Sequence, residues 1–245
     1  MKKIYQIKFS FTLLAHILKA VFYKYHKDKG HIIKKILKDP EVIIDVGAHA
    51  GQVSKMISGL YKNKVKIIAI EPGLYARTIL RLSIFFNRLT NIFVVPLAVS
   101  DKNEYSFLNI PEKRKNSLGF GLSHISKNHQ DFNERGFNTH YDYVAVTTID
   151  QIIKDLEIKT VDFIKMDIEG FEYRALLGAA VAIKEFKPII YIELQESHLN
   201  RNNDSVKDIY SFLRNLNYKS YYLKDSELKE YDDLREHDEV FFICN

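Results

Sequence analysis

Five short runs of apolar residues, at 42–47, 65–70, 91–98, 161–166 and 188–194, alternate with stretches that carry helical periodicity. Each run is apolar nearly throughout rather than at every second position, which suits a strand buried on both faces of a parallel sheet. Helical patterns lie between the runs at 53–61, 75–86, 148–156 and 172–186, the last stopped by Pro188. This alternation predicts βαβ units with right-handed crossovers. A further helix, 205–216, carries Val206, Ile209, Leu213 and Leu216 on one face. Two more strands follow at 218–223 and 239–244, and the charged loop between them suits an antiparallel pair. The expected fold class is α/β, a mostly parallel seven-stranded sheet with helices on both faces.

A chain of 245 residues holds one such domain, expected over 41–245, with room for a short extension over 1–40. Charge separates the two parts. Residues 1–38 contain ten lysines and one acid, a net +9, whereas the remainder carries −4. A near-neutral body argues against a nucleic-acid partner and gives the basic extension a job of its own. Within the extension Leu13, Leu14, Ile17, Leu18, Val21 and Phe22 fall on one helical stripe. Such a stripe packs against the sheet or a second subunit of a homo-oligomer, or else lies on an anionic membrane surface with lysines beside it. His16 and Lys19 interrupt the apolar run, so it does not read as a signal peptide, and no other run reaches the roughly 20 residues of a membrane span. The expected location is cytoplasmic, with peripheral contact at the inner membrane surface as the alternative to packing for the basic helix. Cys244, the sole cysteine, excludes a disulfide framework and a CxxC metal site.

One segment breaks the alternation. Residues 102–143 separate the third and fourth predicted strands by far more than the usual connection of roughly 2–6 residues. They hold one strand-like run, 105–110, and then a polar stretch with Gly119, Gly121 and Gly136. This insertion is expected to be a lid that closes over an acceptor. Its histidines, His124, His129 and His140, are candidate bases if it closes over the site.

Chemistry-bearing residues gather at the carboxyl ends of the predicted strands, where open α/β sheets bind ligands. The first strand runs into Asp45-Val46-Gly47-Ala48-His49-Ala50-Gly51. A dinucleotide fingerprint would need glycines where His49 and Gln52 stand, so a bound pyrophosphate is not expected. The acid Asp45 instead suits a ligand with ammonium and sulfonium charges, such as S-adenosyl-L-methionine. The second strand ends in Glu71-Pro72, an acid placed to accept from both ribose hydroxyls. The third ends in Ala98-Val99-Ser100-Asp101, near an adenine position. The fourth ends in Lys165-Met166-Asp167-Ile168-Glu169-Gly170, two carboxylates beside a lysine. One of these acids can hold the cofactor and the other can steer or deprotonate an acceptor, while either can also cap the following helix. Glu193 and Glu196 follow the fifth strand at the same sheet edge. His198 there reads as a surface residue at a helix start. No spacing motif calls for a metal ion.

Taken together, DVGAHAGQVS at 45–54, Glu71-Pro72, VTTIDQI at 146–152, FIKMDIEGFE at 163–172, Leu177-Gly178 and PIIYIE at 188–193 resemble the FkbM family of methyltransferases. The resemblance spans about residues 42–193. It implies a Rossmann-like class I methyltransferase fold and O-methylation from S-adenosylmethionine, often on sugars or natural products. The chain departs from the family at His49, where Asn is usual. The resulting expectation is a methyltransferase acting on a hydroxyl of a sugar, nucleotide sugar or surface glycan. Its cofactor-binding residues are Asp45, Gly47, Ala48, His49, Gly51, Glu71, Asp101 and Asp167, and its catalytic residues are Asp167, Glu169 and Glu193. The competing readings are a methyltransferase with a small-molecule or lipid-linked acceptor, and a non-catalytic module that only binds the cofactor.

Overall fold

The computed structural model describes residues 13–23, 27–114, 117–118, 123–126, 139–225, 227–231 and 239–244. His129 and the glycines at 119, 121 and 136 lie outside them. The parallel strands are β1 (Val42–Val46), β2 (Lys66–Ile70), β3 (Ile92–Val95), β9 (Phe163–Met166) and β10 (Ile189–Ile192). Antiparallel strands β13 (Val240–Cys244), β11 (Tyr218–Lys224) and β12 (Glu227–Glu230) complete an eight-stranded sheet of order β12-β11-β13-β10-β9-β1-β2-β3. The seven-strand expectation therefore falls one short. The charged loop after β11 turns back at Asp225, and β12 pairs Leu228 with Leu223 across the new edge.

Alternate residues of the buried strands feed two cores. Val42, Ile44 and Val46 face the side covered by α5 (Ile149–Asp155), α6 (Glu172–Leu177), α7 (Ala180–Phe186) and α9 (Val206–Arg214). Ile43, Ile67 and Phe163 face α2 (Lys27–Ile36), α3 (Gln52–Leu60) and α4 (Leu74–Asn87). Burial on both faces explains why the central runs are apolar throughout. The chain winds from β1 out to β3, then returns to β9 on the other side of β1, which makes the carboxyl ends of β1 and β9 the topological switch point.

Two predicted elements are divided. The third strand ends at Val95 because Pro96 has no N–H to give a ladder, and the chain leaves the sheet there. It re-forms as β4 (Ala98–Val99), which pairs with β8 (Thr139–Thr147) in a second sheet that also contains β5 (Glu104–Arg114), β6 (Ser117–Leu118) and β7 (His124–Ser126). The insertion is thus built on an antiparallel β5–β8 ladder running from Glu104↔Val146 to Pro111↔Thr139. The 172–186 helix breaks at Gly178, where a Cβ would overlap the Ser100 carbonyl oxygen. Asp150 restarts it, accepting from the N–H groups of Val181 and Ala182 at 3.0 and 2.9 Å. Thr148 in turn caps α5 by accepting from Gln151. The VTTIDQI segment therefore holds the frame together.

In the extension, α1 (residues 13–22) is helical. Its stripe is split: Leu13, Ile17, Ala20 and Val21 are buried or half-buried, the first three packing with Ala50, Tyr75 and Ile79. Leu14, Leu18 and Phe22 face outward. Lys55 and Ser83 donate to carbonyls in the last turn of α1, satisfying groups that a helix end leaves open. Among the described residues no helix is long and apolar enough to cross a membrane.

Candidate active site

A cavity of about 280 Å³ opens at the switch point. That is close to the lower end of small-molecule sites, roughly 300–1,000 Å³. Val46–His49 and Gln52 follow from β1, Ile70–Pro72 from β2, Leu97–Val99 from β4, and Asp167–Glu169 from β9. Leu108, Ser123, His124 and Ile125 of the insertion supply another wall. His124 is buried and opposes Asn109 across the β5–β7 pair, whereas His140 is exposed on β8 and lines no part of the cavity.

The turn after β1 is shaped by close backbone approach. Gly47 has φ +72, and a side chain there would collide with the Asp167 carbonyl oxygen. His49 also takes a left-handed φ of 49. Asn and His both tolerate that region better than most residues, so the exchange of Asn for His keeps the turn. Burial, then the Lys165 charge, holds the His49 ring below the usual histidine value. Gly51, at φ +82, is the N-cap of α3 and packs on Leu80. It shapes the turn from behind and does not line the cavity.

Glu71 does line it. Its two oxygens accept from His49 N–H at 2.9 Å and Gly73 N–H at 2.7 Å, which fixes the carboxylate at the tip of β2. Burial raises its pKa while those amides pull it back.

Asp45 was expected at the ligand, and the structure places it elsewhere. It shares the parity of Ile43, so its side chain points into the core beneath α3 and is fully buried. There it accepts from Ser54 Oγ at 2.6 Å and pairs with Lys165 at 3.4 Å, its direct neighbour in the β1–β9 register. Lys165 Nζ also donates to the Gly47 carbonyl at 2.9 Å and lies 3.5 Å from Asp167. Burial works against its charge, but the two carboxylates outweigh that and raise its pKa. In the sequence Lys165 reads as a neighbour of the acids; its alternation with Met166 on a buried strand is the signal that it faces the Asp45 side. Asp101 likewise leaves the expected cofactor position. It hydrogen-bonds Ser100 and lies 3.6 Å from Arg174, which makes a bidentate pair with Asp204.

The cavity is continuous in its lining with a narrow recess walled by Asp167, Glu169, Glu172, Glu193, Gln195 and His198. Asp167 and Glu169 belong to both. Glu169 has a left-handed φ of 58, and its carboxylate meets His198 Nδ1 at 3.0 Å. The approach depends on Gly170, where a side chain would overlap the His198 carbonyl. Glu172 organises the loop from inside, accepting from Ile168 N–H at 2.9 Å and Gly170 N–H at 3.0 Å. Its burial pushes its pKa up to about 6. Glu193 accepts from Gln195 at 3.0 Å, and burial, then repulsion from Asp167, pushes it up to about 7. His198, expected to be a surface residue, instead lines this recess and pairs with Glu169. Nothing in its spacing of 29 positions from Glu169 announces the pair. Glu196 turns away and accepts from Val206 N–H at the start of α9.

A parallel sheet extended by three antiparallel strands, with a cavity at the β1–β9 switch point and an acid at the tip of β2, is a Rossmann-like α/β architecture. Residues 45–220 match the family described as the Methyltransferase FkbM domain. The chain belongs to that family. Among solved structures it is similar to the methyltransferase FkbM of Methylobacillus flagellatus, at 22% identity and a TM-score of 0.53. The match covers 87% of this chain and 47% of the other, so the chain spans about half the length of that relative. Weaker likenesses include a SAM-dependent O-methyltransferase of Thermotoga maritima, 10% identical, covering 94% and 71% of the two chains at a TM-score of 0.46. Another is a Streptococcus mutans protein in complex with SAH, 8% identical, covering 88% and 93% at 0.47. Among curated proteins none matches the chain in sequence.

Proposed function

We propose that the protein methylates a hydroxyl of a sugar, nucleotide sugar or surface glycan, with S-adenosylmethionine as donor. The observation that carries this reading is the shared wall: Asp167 and Glu169 line both the cofactor-sized cavity and the recess holding His198 and Glu193. The chain's residues suit that donor. Glu71, aimed by two amides, is placed to accept from ribose hydroxyls. Gly47 lets the Asp167 backbone pack directly on the turn after β1, which brings the Asp167 and Glu169 carboxylates to the cavity wall. Asp167 and Glu169 place negative charge where a sulfonium and an ammonium need it.

S-adenosylmethionine supplies an electrophilic methyl group on a sulfonium. The chain's part is to hold the acceptor oxygen in line with that carbon, and most of the rate follows from such positioning. Leu108, Ile125, Leu97 and Val99 form apolar walls that keep water from the reacting centre. The carboxylates, glutamine amide and imidazole that wall the recess can each orient an O–H, and its volume of about 10 Å³ suits a single hydroxyl reaching in from a sugar held outside it. The test is incubation with S-adenosylmethionine and a panel of free sugars, nucleotide sugars and short glycans, read as mass gain of one methyl group. Methyl gain only on lipid-linked or non-sugar compounds would overturn the acceptor class. Tight SAH binding with no turnover on any acceptor would mark a non-catalytic module.

A further inference from the structure

We propose that His198 is the proton acceptor for the methylated hydroxyl and that Glu169 is its positioning residue; this rests on the methyl-transfer reading above. A carboxylate only accepts, so the 3.0 Å contact puts the hydrogen of the neutral ring on Nδ1 and leaves Nε2 to take a proton. The same contact stabilises the imidazolium once it forms. Both side chains are mostly buried, which keeps the pair from being lost to solvent, yet both line the recess. Two backbone features make the pair possible. Glu169 holds a left-handed conformation that a non-glycine residue rarely takes, and Gly170 lets the β9 loop touch the His198 backbone. Asn202 then ties that loop down by donating to the Gly170 carbonyl at 2.9 Å. As the acceptor oxygen bonds to the methyl carbon, the carbon–sulfur bond breaks with its electron pair left on sulfur. The hydroxyl proton passes to Nε2.

The pair has two readouts. In long-range proton–nitrogen spectra of the intact protein, the His198 ring of wild type should show the Nδ1–H tautomer, and E169Q should lose that preference. With whichever sugar of the panel gains a methyl, H198Q should lower kcat by about 10²–10⁴-fold. Its rate should also lose the acidic limb of the pH profile, and added imidazole should restore part of the rate to H198A. SAH affinity should stay at the wild-type level in H198Q and H198A. A wild-type enzyme that methylates a sugar while H198Q keeps the full rate and pH profile would overturn the proposal. An Nε2–H tautomer in wild type would do so as well. Failure of wild type on every sugar would instead defeat the acceptor reading, and the tautomer measurement would still decide the pair.

Independently, the geometry points to the outer face of α1 as a docking surface for anionic lipid. Leu14, Leu18 and Phe22 recur every four residues and are 51%, 48% and 76% exposed, although the inner half of the same helix is docked on α4. Exposed Lys19 flanks them, and residues 1–38 contain ten lysines against one acid. Apolar residues with basic charge beside them fit a membrane of anionic headgroups better than a neutral protein surface. Full-length protein should sediment with phosphatidylglycerol vesicles at low salt, stay in solution with phosphatidylcholine vesicles, and be released by high salt. L18E/F22E should abolish sedimentation. Protein that stays in solution with anionic vesicles would overturn the proposal, and a dimer dissociated by L18E/F22E would assign the face to a second copy.

Discussion

Replacing Lys165 with Met separates what the lysine does for the fold from what the carboxylates around it do. In wild type the ammonium group lies 3.4 Å from Asp45 and 3.5 Å from Asp167, and it bonds the Val46 and Gly47 carbonyls. Asp167 is half open to solvent, so it recovers water when the lysine goes. Asp45 does not. It stays fully buried with only the Ser54 hydroxyl as a partner. Breaking one side of a buried pair in this way costs about 3–5 kcal/mol. For a urea slope of about 1–3 kcal/mol per molar, the unfolding midpoint should fall by about 1 M or more. The double variant D45N/K165M removes both charges and should regain at least about 2 kcal/mol of that loss, because no uncompensated ion is left. Equilibrium unfolding followed by far-UV circular dichroism measures all three proteins. A K165M protein within about 1 kcal/mol of wild type, or a double variant no more stable than the single, would refute the buried-pair account.

Glu172 carries a pH signature: its pKa, raised from 4.5 to about 6, means that stability is fully present below about 4.5 and is lost as pH rises through about 6. E172Q does not titrate, so its stability relative to wild type should rise by about 2 kcal/mol between pH 4 and pH 7, and a pH-independent difference would be the contrary result. E71A should weaken SAH binding by about 1.5–3 kcal/mol in calorimetry, while unchanged affinity would place the ligand elsewhere. In D167N the Glu193 carboxyl, held at about 7 by burial and then by Asp167, should titrate at lower pH in carbon-detected spectra. An unmoved titration would show that Asp167 has no part in raising it.

Strands buried on both faces were legible because their residues had to be apolar at every position, and the five parallel runs correspond to β1, β2, β3, β9 and β10. Division of elements was harder to see. Pro96 ends β3 by withholding one donor, and Gly178 splits a helix because Ser100 from a distant segment presses on it. The second of these is a tertiary contact that no local pattern encodes. Strand tips pointed to the rim of the cavity, yet a tip does not say which way its side chain points. Asp45 follows the parity of its strand into the core, while Glu71, just past the end of β2, escapes that parity and lines the cavity. His198 is the extreme case. Its partner comes from another strand's loop, and a lone histidine after β10 carries no periodic or spacing signal.

The short parallel pairing of β4 with β8, only Ala98↔Val146 and Val99↔Thr147, is the root from which the whole insertion grows. The cavity's floor lies on β1, β2 and β9, and part of its roof hangs from the β5–β7 strands on that root. Floor and roof are therefore separately variable. New side chains or lengths beyond Pro111 and Thr139 can reshape what enters from above without disturbing a single residue of the main sheet. For protein engineering this makes the insertion a cassette: a roof grafted at two strand pairs leaves the cavity floor beneath it intact.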